Sequence, residues 1–422
     1  MSRATAPVTA PGVSARDSSR ALLAGFLGWT LDAFDFFLVV MCLTSIASDL
    51  RTDVEHIALS LTVTLAFRPV GALLFGLLAD RYGRRLPLML DLVFYSVIEV
   101  LSGLAPNFST FLVLRALFGI GMGGEWGVGA SLAMEKVPPR LRGVLSGILQ
   151  EGYAVGYLLA ALCYFFVFPR FGWRPLFFIG GLPALLALFV RFGVRESQVW
   201  EATRQHNWAD LGRAIAGQWP TFLYLVALMA MMNFSSHGTQ DLYPTFLEKS
   251  FGLDVRHRAA LTAFTMVGAL IGGVVFGLLS DRIGRRRAMV LALLLGLCVV
   301  PMWAYSRSLA VLWVGGFLIQ FMVQGAWGVV PAHISELSAD SVRGFLPGFA
   351  YQCGALIAGI APSAQARLAR QPGWGYSKTM ALTAVIVFAV ASVVIWLGPE
   401  RRGRTFGAAT GIDITSGGSI RF

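Results

Sequence analysis

The stretch that decides the fold is GLLADRYGRR at residues 76–85, because it returns as GLLSDRIGRR at residues 277–286. The copies lie 201 positions apart, and the same shift brings two further patterns into register. Those pairs are Gly124, Trp126 and Gly127 with Gly325, Trp327 and Gly328, and Glu135, Arg142 and Gly143 with Glu336, Arg343 and Gly344. Chance similarity between apolar helices does not keep charged loop residues in register. The shift therefore predicts two halves of the same topology.

Composition indicates that these halves lie in a membrane. Of the 422 residues, 56% are hydrophobic and 14% are charged, whereas soluble domains are about 45–50% apolar and about 25% charged. The excess apolar surface must face lipid. The net charge of +11 would suggest nucleic acid in a soluble protein, but membrane topology explains it here, and we expect no nucleic-acid partner.

The apolar runs predict twelve transmembrane helices, since a bilayer core needs about 20 apolar residues per helix. With both termini in the cytoplasm, most of the 34 basic residues fall on the cytoplasmic side, as the positive-inside rule requires. We therefore expect an all-α, multi-pass, monomeric protein of the plasma (cytoplasmic or inner) membrane. The predicted order is a disordered cytoplasmic tail (1–20), an N-terminal six-helix half (21–194), a cytoplasmic linker (195–217), a C-terminal six-helix half (218–397) and a cytoplasmic tail (398–422).

Each copy of the repeated stretch places an aspartate at a cytoplasmic helix end and arginines in the loop that follows. Charges beside a helix end can bind on one side of the membrane and release when the halves rock. The alternative is simple positive-inside anchoring, but two copies at one period favour a latch. The predicted latch residues are Gly76, Asp80, Gly83, Arg84, Arg85, Gly277, Asp281, Gly284, Arg285 and Arg286.

This GxxxDxxGRR pattern resembles the signature of the major facilitator superfamily, which follows the second and eighth spans. The resemblance covers nearly the whole chain and implies the superfamily's fold of two pseudo-symmetric six-helix halves. Transporters built from parallel repeats bind their substrate near the bilayer midplane, at the interface of the repeats. A substrate site is therefore expected between the halves.

Ionisable side chains at bilayer depth mark candidate sites, because each costs about 2.5–3.5 kcal/mol on insertion scales. Asp32 and Asp35 share one face of the first span, and neighbouring carboxylates favour binding a proton. Their alternative role is an ion pair with Arg68 or Arg115. Arg68 lies about 18 Å along its helix from Asp80, near the midplane, and is the predicted anchor for an anionic substrate, since a guanidinium binds a carboxylate through two hydrogen bonds.

The seventh span contains NFSSHGTQDLYPT at residues 233–245. Asn233, His237 and Gln240 form one stripe of a helix, with Asp241 beside it, and such a stripe cannot face lipid. His237 titrates near neutrality and can relay a proton with Asp241, while the two amides can bind a polar substrate. The alternative is an inter-helix polar zipper without a ligand. The 201-residue shift places Asp32 on Asn233, so the first helix of each half is expected to line the cavity.

The same motif resembles the sialate:proton symporter family, including its monocarboxylate (lactate and pyruvate) permeases. Their pattern is Asn-x-x-[Ser/Thr]-His-x-[Ser/Thr]-Gln-Asp-x-x-x-Thr, and residues 233–245 fill every fixed position. The resemblance implies proton-coupled uptake of a carboxylate by alternating access. It places Arg68, Asn233, His237, Gln240 and Asp241 on the translocation path. Arg115 begins a superfamily pattern that is associated with proton coupling. Gln352 matches a permease glutamine, although Ala355 replaces the asparagine that follows it there.

Several alternatives stay open from the sequence, namely a sialic acid:proton symporter or another organic-anion, metabolite or drug transporter of the superfamily. An enzyme is not expected, because HExxH, GxSxG and Walker motifs do not occur. The four cysteines have no CxxC spacing and the five histidines no metal-ligand spacing, so we expect no metal and no cofactor. The expected partners are a small carboxylate, the proton and the lipid bilayer.

Overall fold

The computed structural model describes residues 15–205, 207–306 and 308–407. Within these ranges the regular elements are helices, including two short 3₁₀ turns at Pro139–Leu141 and Asp340–Val342. The α-helices are α1 (Ala15–Asp49), α2 (Val54–Tyr82), α3 (Arg85–Gly103), α4 (Phe108–Lys136), α5 (Arg142–Gln150), α6 (Gly152–Phe171), α7 (Arg174–Ile179), α8 (Pro183–Gly193), α9 (Gln198–Thr203), α10 (Trp208–Ala216), α11 (Trp219–Gln240), α12 (Tyr243–Phe251), α13 (Val255–Ile283), α14 (Arg285–Ala304), α15 (Leu309–Leu337), α16 (Leu346–Ala358), α17 (Ala361–Ala369) and α18 (Gly375–Leu397).

Membrane-spanning length is reached by ten helical segments of the described residues, or eleven if the bent pair Trp208–Ala216 and Trp219–Phe251 forms one span. Two of the ten, Pro139–Phe171 and Arg174–Gly193, are continuous runs made of shorter helices. The expected all-helical membrane fold is confirmed. The count of twelve spans stays a prediction, since α16 and α17 are each too short to cross a bilayer alone. The cytoplasmic position of the termini also stays a prediction.

The internal repeat reappears in the helix boundaries. Helices α2 and α13, helices α4 and α15, and the two 3₁₀ turns each match end for end at the same 201-residue offset. Equivalent glycines make the pairing of these helices possible: a methyl group at Gly71 would overlap the carbonyl of Ile120, and one at Gly272 would overlap the carbonyl of Phe321. Small residues let helix backbones approach closely in membranes. The repeat is therefore one of packing as well as of sequence.

The predicted segments outside the two halves are helical in part. Helix α1 begins at Ala15, inside the predicted tail 1–20, and the rest of that tail lies outside the described residues. The linker 195–217 contains α9 and α10. Of the C-terminal tail 398–422, the structure describes residues up to 407.

The two halves meet where α5 packs on α13 and α16 packs on α2 and α4. A Cβ added at Gly127 of α4 would lie 2.7 Å from the Cα of Gly348 in α16, so glycines hold this contact close. Several spans are interrupted near the interface, between α5 and α6 at Glu151 and between α7 and α8 at residues 180–182. These breaks bring loop backbone to the level of the buried polar residues.

Candidate functional site

Arg68 lies in the middle of α2, beside the in-helix Pro69, and is only 6% exposed. Its guanidinium stands 5.7 Å from the ring centre of Tyr351, which belongs to α16 in the opposite half. The Nε and Nη2 atoms have no hydrogen-bond partner among the described residues. A buried arginine with free donors is costly unless it is paired. Its position between the halves suits the capture of an anion.

Two buried carboxylates, Asp32 and Glu125, lie within electrostatic range of Arg68. A third, Asp91, lies within range of these two carboxylates. The Glu125 carboxylate fills the space beside Gly28, one turn before Asp32 on α1, where a side chain would displace it. The oxygens of all three carboxylates lack partners in the described ranges. The sequence patterns assign Asp91 and Glu125 no role, although both are acidic residues in apolar runs.

Arg115 forms an ion pair with a different carboxylate, Glu99. Its Nη2 donates to Oε2 of Glu99 and to Oγ of Ser102, both at 2.5 Å. The rings of Phe111, Phe118 and Phe177 lie 4.5–5.5 Å from its guanidinium carbon. The predicted alternative, an ion pair of Arg115 with Asp32 or Asp35, is therefore replaced by a pair with Glu99.

Asp35 lies next to this ion pair. A Cβ at Gly180, in the break between α7 and α8, would lie 2.7 Å from both Asp35 Oδ1 and Glu99 Cγ. Both Asp35 oxygens are buried without a partner in the described chain. Asp32 and Asp35 thus share a helix face, as predicted, but Asp32 is associated with Arg68 and Asp35 with the Glu99–Arg115 pair.

The polar stripe of α11 faces the interior, and its members have different partners. His237 Nδ1 and Asp241 Oδ2 are 2.9 Å apart, and both side chains are about one-third exposed, at 31% and 34%. Asn233 is buried and donates to the Met229 carbonyl of its own helix at 2.8 Å. The expected His237–Asp241 proximity is present, and this pair is the accessible part of the stripe.

Gln240 is held by another helix. Its Nε2 donates to Oε1 of Gln320 in α15 at 2.8 Å, and Gln320 donates in turn to Thr239 Oγ1 at 3.2 Å. This arrangement matches the zipper alternative for Gln240. Gln352, in contrast, is 1% exposed, and neither of its amide atoms has a partner among the described residues.

Five aromatic rings from both halves form one connected cluster, and Arg68 lies against one of them, Tyr351. We name this cluster the aromatic cage: Trp29, Trp126, Tyr153, Trp327 and Tyr351. Ring centres of Trp126 and Tyr351 are 4.6 Å apart, those of Trp29 and Tyr153 5.7 Å, and those of Trp327 and Tyr351 5.9 Å. The repeat relates Trp126 to Trp327. The rings are scattered in sequence on α1, α4, α6, α15 and α16, so the sequence patterns did not identify the cage.

The latch residues lie at the ends of α2 and α13, on what we call the latch side of the molecule. Asp80 accepts hydrogen bonds from the backbone N–H groups of Gly344 and Phe345, at 2.8 and 3.0 Å. Arg84 pairs with Asp80 and, at 3.0 Å, with Glu135. All three charged side chains are fully buried. Because residues 344 and 345 belong to the opposite half, this cluster joins the halves.

The second copy makes the equivalent contacts. Asp281 accepts from the N–H groups of Gly143 and Val144 at 2.9 and 3.0 Å. Arg285 pairs with Asp281 at 2.7 Å and with Glu336 at 3.0 Å. Two further ion pairs cross between the halves, Arg142–Glu336 at 3.1 Å and Arg343–Glu135 at 3.4 Å. The latch side is therefore closed by two related charge clusters.

The glycines of the pattern have geometric causes. Gly83 and Gly284 adopt φ of 104° and 107°, a region that disfavours side chains. A Cβ at Gly76 would lie 2.8 Å from the Cα of Phe345, and one at Gly277 would lie 2.6 Å from the Gly143 carbonyl. The first glycine of each copy therefore permits close contact with the other half.

The last arginine of each copy, in contrast, bonds within its own half. Arg85 donates to the carbonyls of Val190 and Arg191 at the end of α8, and Arg286 donates to the Gly398 carbonyl. Beside them, Glu196 accepts from the first N–H groups of α3 and Glu400 from those of α14, at 2.9–3.1 Å. A carboxylate at a helix N-terminus is stabilising. The two glutamates are 204 residues apart, so a gapless 201-residue shift does not reveal them.

The segment that follows α18 also bridges the halves on the latch side. Phe406 is 7% exposed, and its ring lies 3.8 Å from the Arg142 guanidinium carbon and 3.7 Å from that of Arg343. It packs in an apolar cluster with residues of α4, α5 and α15. Arg404 donates to the Ser338 carbonyl at 2.8 Å and to Asp340 at 2.9 Å. This segment lies in the predicted C-terminal tail, residues 398–422.

Asp340, in the 3₁₀ turn outside the spans, anchors the segment. Burial acts to raise the pKa of this carboxyl, but Arg343, the N–H of Gly407 at 2.7 Å and Arg404 together hold its pKa below the ordinary value of 3.8. The carboxylate is therefore ionised at neutral pH and fixes the C-terminal segment electrostatically.

Comparison with known proteins agrees with this architecture. The family model described as the Major Facilitator Superfamily matches residues 25–270 and 242–411. The chain is 30% identical to the sialic acid transporter NanX of Escherichia coli (strain K12), covering 88% of this chain and 93% of that protein. It is 28% identical to a carboxylic acid transporter protein homolog of Saccharomyces cerevisiae, covering 89% and 67%. Among solved structures, the proton:xylose symporter XylE superposes with a TM-score of 0.74 over 93% of this chain and 98% of that chain, at 17% identity.

Proposed function

Because this chain belongs to the Major Facilitator Superfamily and is a multi-pass membrane transporter rather than an enzyme, we propose that it symports a carboxylate with a proton by alternating access. The observation that carries this proposal is Arg68. It is buried between the halves, faces Tyr351 of the other half, and keeps two guanidinium nitrogens without a partner among the described residues. A guanidinium in this state is a binding group for a carboxylate.

Charge balance supports proton coupling. Arg68 lies within electrostatic range of Asp32 and Glu125, and these lie within range of Asp91, whereas Arg115 pairs with Glu99. A group of three buried carboxylates that has one arginine nearby cannot stay fully ionised in an apolar interior. In the proposed cycle a proton neutralises this group, the anion docks on Arg68, and the loaded centre is nearly neutral when the halves rock.

The accessible His237–Asp241 pair is the proposed entry point for the proton. Both side chains are partly exposed at the end of α11, whereas Asp32 and Asp35 are fully buried. A histidine–carboxylate pair exchanges protons near neutral pH. The proposed path leads from this pair to the buried carboxylates, with Asn233 and Gln352 beside the substrate and Gln240 fixing α11 against α15.

The two charge clusters are the proposed gate. Both are closed on the latch side, so entry to Arg68 from that side is blocked in this conformation. We assign the latch side to the cytoplasm, with twelve spans in the plasma (inner) membrane. A substrate arriving from outside would then meet the His237–Asp241 pair before Arg68.

The substrate is proposed to be a small monocarboxylate such as lactate or pyruvate, with sialic acid as the alternative. The motif at residues 233–245 supports the first choice, and the similarity to the sialic acid transporter NanX supports the second. Both are carboxylates, and both require an arginine anchor. The yeast relative's name, a carboxylic acid transporter homolog, agrees with this class.

Uptake into proteoliposomes under an inward proton gradient tests the proposal. Labelled lactate, pyruvate and sialate are compared in the native protein, Arg68→Ala and His237→Ala, with the exposed Arg170→Ala as the matched control. Loss of a charge-assisted bidentate contact of about 3 kcal/mol predicts roughly hundredfold lower uptake by Arg68→Ala at low substrate concentration. Arg170→Ala should transport normally. The proposal fails if none of the acids accumulates, or if the uptake rate is unchanged both in Arg68→Ala and in the absence of the proton gradient.

A further inference from the structure

Apart from Tyr351, which faces Arg68, the rings of the aromatic cage have no part in the proposed proton and carboxylate steps. Trp29, Trp126 and Tyr153 come from the N-terminal half and Trp327 and Tyr351 from the C-terminal half. All four rings other than Tyr153 are at most 7% exposed. Several large rings at the meeting point of two moving halves form a specific surface, because aromatic pairs have preferred geometries.

Buried hydrogen-bond donors without partners accompany the cage. Among the described residues, these are Nε and Nη2 of Arg68, Nε1 of Trp29 and Nε2 of Gln352. They belong to the cage residue Trp29, to Arg68 beside Tyr351, and to Gln352, the chain neighbour of Tyr351. Buried donors are normally paired. Unpaired donors next to a cluster of aromatic rings are the features that a ring bearing a carboxylate requires.

We propose that the transported carboxylate is an aromatic monocarboxylate, whose flat ring stacks between Trp126 and Tyr351 while its carboxylate binds Arg68. The inference rests on the proposed carboxylate transport and narrows its substrate class. The neighbouring donors of Trp29 and Gln352 complete the binding of the carboxylate. Trp29, Tyr153 and Trp327 surround the edge of the stacked ring.

The geometry of the central pair favours a flat substrate. The Trp126 and Tyr351 ring centres are 4.6 Å apart with an interplanar angle of 34°. A flat ring makes van der Waals contact at about 3.5 Å on each face, so a separation of about 7 Å accommodates it. Because the two rings belong to opposite halves, a small rocking movement opens this space. A puckered aliphatic ring is thicker and needs a wider opening.

The polar partners of the cage fix its orientation. Trp327 Nε1 donates to Ser236 Oγ at 2.7 Å, and Trp126 Nε1 lies 3.4 Å from Gln150 Oε1. Both indoles are thereby tied to neighbouring helices, which keeps their faces available for stacking. When the neighbouring carboxylates are protonated, as in the proposed cycle, Arg68 beside Tyr351 favours an anionic ligand over a cation, the other class that aromatic enclosures bind. A three-carbon acid such as lactate would leave most of the ring surface without contact.

A matched pair of acids tests this inference in proteoliposomes. Benzoate and cyclohexanecarboxylate have the same number of carbons and the same charge, but only benzoate is flat; lactate is the small reference. The variants are Trp126→Leu, which removes the ring, and Trp126→Phe, which keeps one, with Trp208→Leu in the exposed linker as control. Because only benzoate can stack on the cage rings, its KM in the native protein should lie roughly tenfold below that for cyclohexanecarboxylate.

The expected pattern is that Trp126→Leu removes this preference while Trp126→Phe and Trp208→Leu retain it. Quenching of tryptophan fluorescence by benzoate should disappear in parallel. If cyclohexanecarboxylate or lactate is transported as well as benzoate and uptake still depends on Arg68, carboxylate transport stands and the aromatic inference is overturned. If none of the acids is transported, the proposed function itself fails. If Trp126→Leu does not fold, the ratio of the KM values for benzoate and cyclohexanecarboxylate in the native protein and in Trp126→Phe still tests the inference.

Discussion

Neutralising Asp80 should open the latch side of the transporter. The carboxylate accepts two backbone N–H groups of the opposite half, at 2.8 and 3.0 Å, and hydrogen bonds to a charged group contribute about 1.5–3 kcal/mol each. Asp80→Asn keeps one acceptor oxygen and leaves Arg84 paired with Glu135 at 3.0 Å. The closed state should therefore lose about 2–3 kcal/mol, a roughly 30- to 150-fold shift toward the latch-open state.

Pulsed electron paramagnetic resonance can measure this shift. Spin labels at Tyr82 and Arg282, the exposed ends of α2 and α13 on the latch side, report the distance between the halves in a protein without its four native cysteines. Asp80→Asn should add a population at longer distance. Asp53→Asn, at the exposed opposite end of α2, removes the same charge without a contact between halves and should leave the distribution unchanged. An unchanged distribution in Asp80→Asn, or an equal change in both variants, would refute the latch.

Three further predictions concern the latch side. Phe406→Ala removes two cation–π contacts, at 3.8 and 3.7 Å from Arg142 and Arg343, and should destabilise the closed state by about 1–3 kcal/mol; the same spin-label pair should show more open molecules, and an unaltered distribution would argue against a bridging role. Glu400→Gln removes a carboxylate from the N-terminus of α14 and should cost about 0.3–1 kcal/mol, seen as a lower Tm in detergent, whereas an unchanged Tm would contradict this capping role. Because the folded-state pKa of Asp340 is lowered, its stabilisation is fully present above the ordinary aspartate pKa and is lost as pH falls through the lowered value; protease cleavage of the C-terminal segment should therefore rise only in strong acid, and cleavage that already rises near pH 6 would contradict the sign.

The sequence could predict those parts of the site that recur at the fixed offset of 201 residues. Asp80 and Asp281 recur in register, and their helices have matching boundaries. Their capping glutamates, Glu196 and Glu400, were missed because an offset of 204 breaks the register. Glu135 does align with Glu336, but only the folded chain shows that Glu135 receives arginines from both halves.

The central site was less predictable, because its pairings depend on packing between distant helices. Sequence periodicity placed Arg68 and Arg115 at membrane depth but could not show which of the two forms an ion pair. The fold decides this by putting Glu99 of α3 against Arg115, whereas Nε and Nη2 of Arg68 have no hydrogen-bond partner among the described residues. The five cage rings lie on five helices, so no local pattern could reveal them. The break between α7 and α8 places Gly180 against both Asp35 and Glu99. It has no counterpart in α18, so it does not follow the repeat.

The central claim, that a carboxylate and a proton cross together through a centre anchored by Arg68, is tested most directly by measuring both fluxes in one preparation. Proteoliposomes with an internal pH-sensitive dye receive an external carboxylate, benzoate or lactate, with no proton gradient imposed. The account predicts that entry of the acid, beyond the passive entry into protein-free liposomes, acidifies the interior in step with its uptake, and that Arg68→Ala lowers both signals to the protein-free level. Protein-dependent uptake without acidification, or acidification by Arg68→Ala that exceeds the protein-free level, would contradict it.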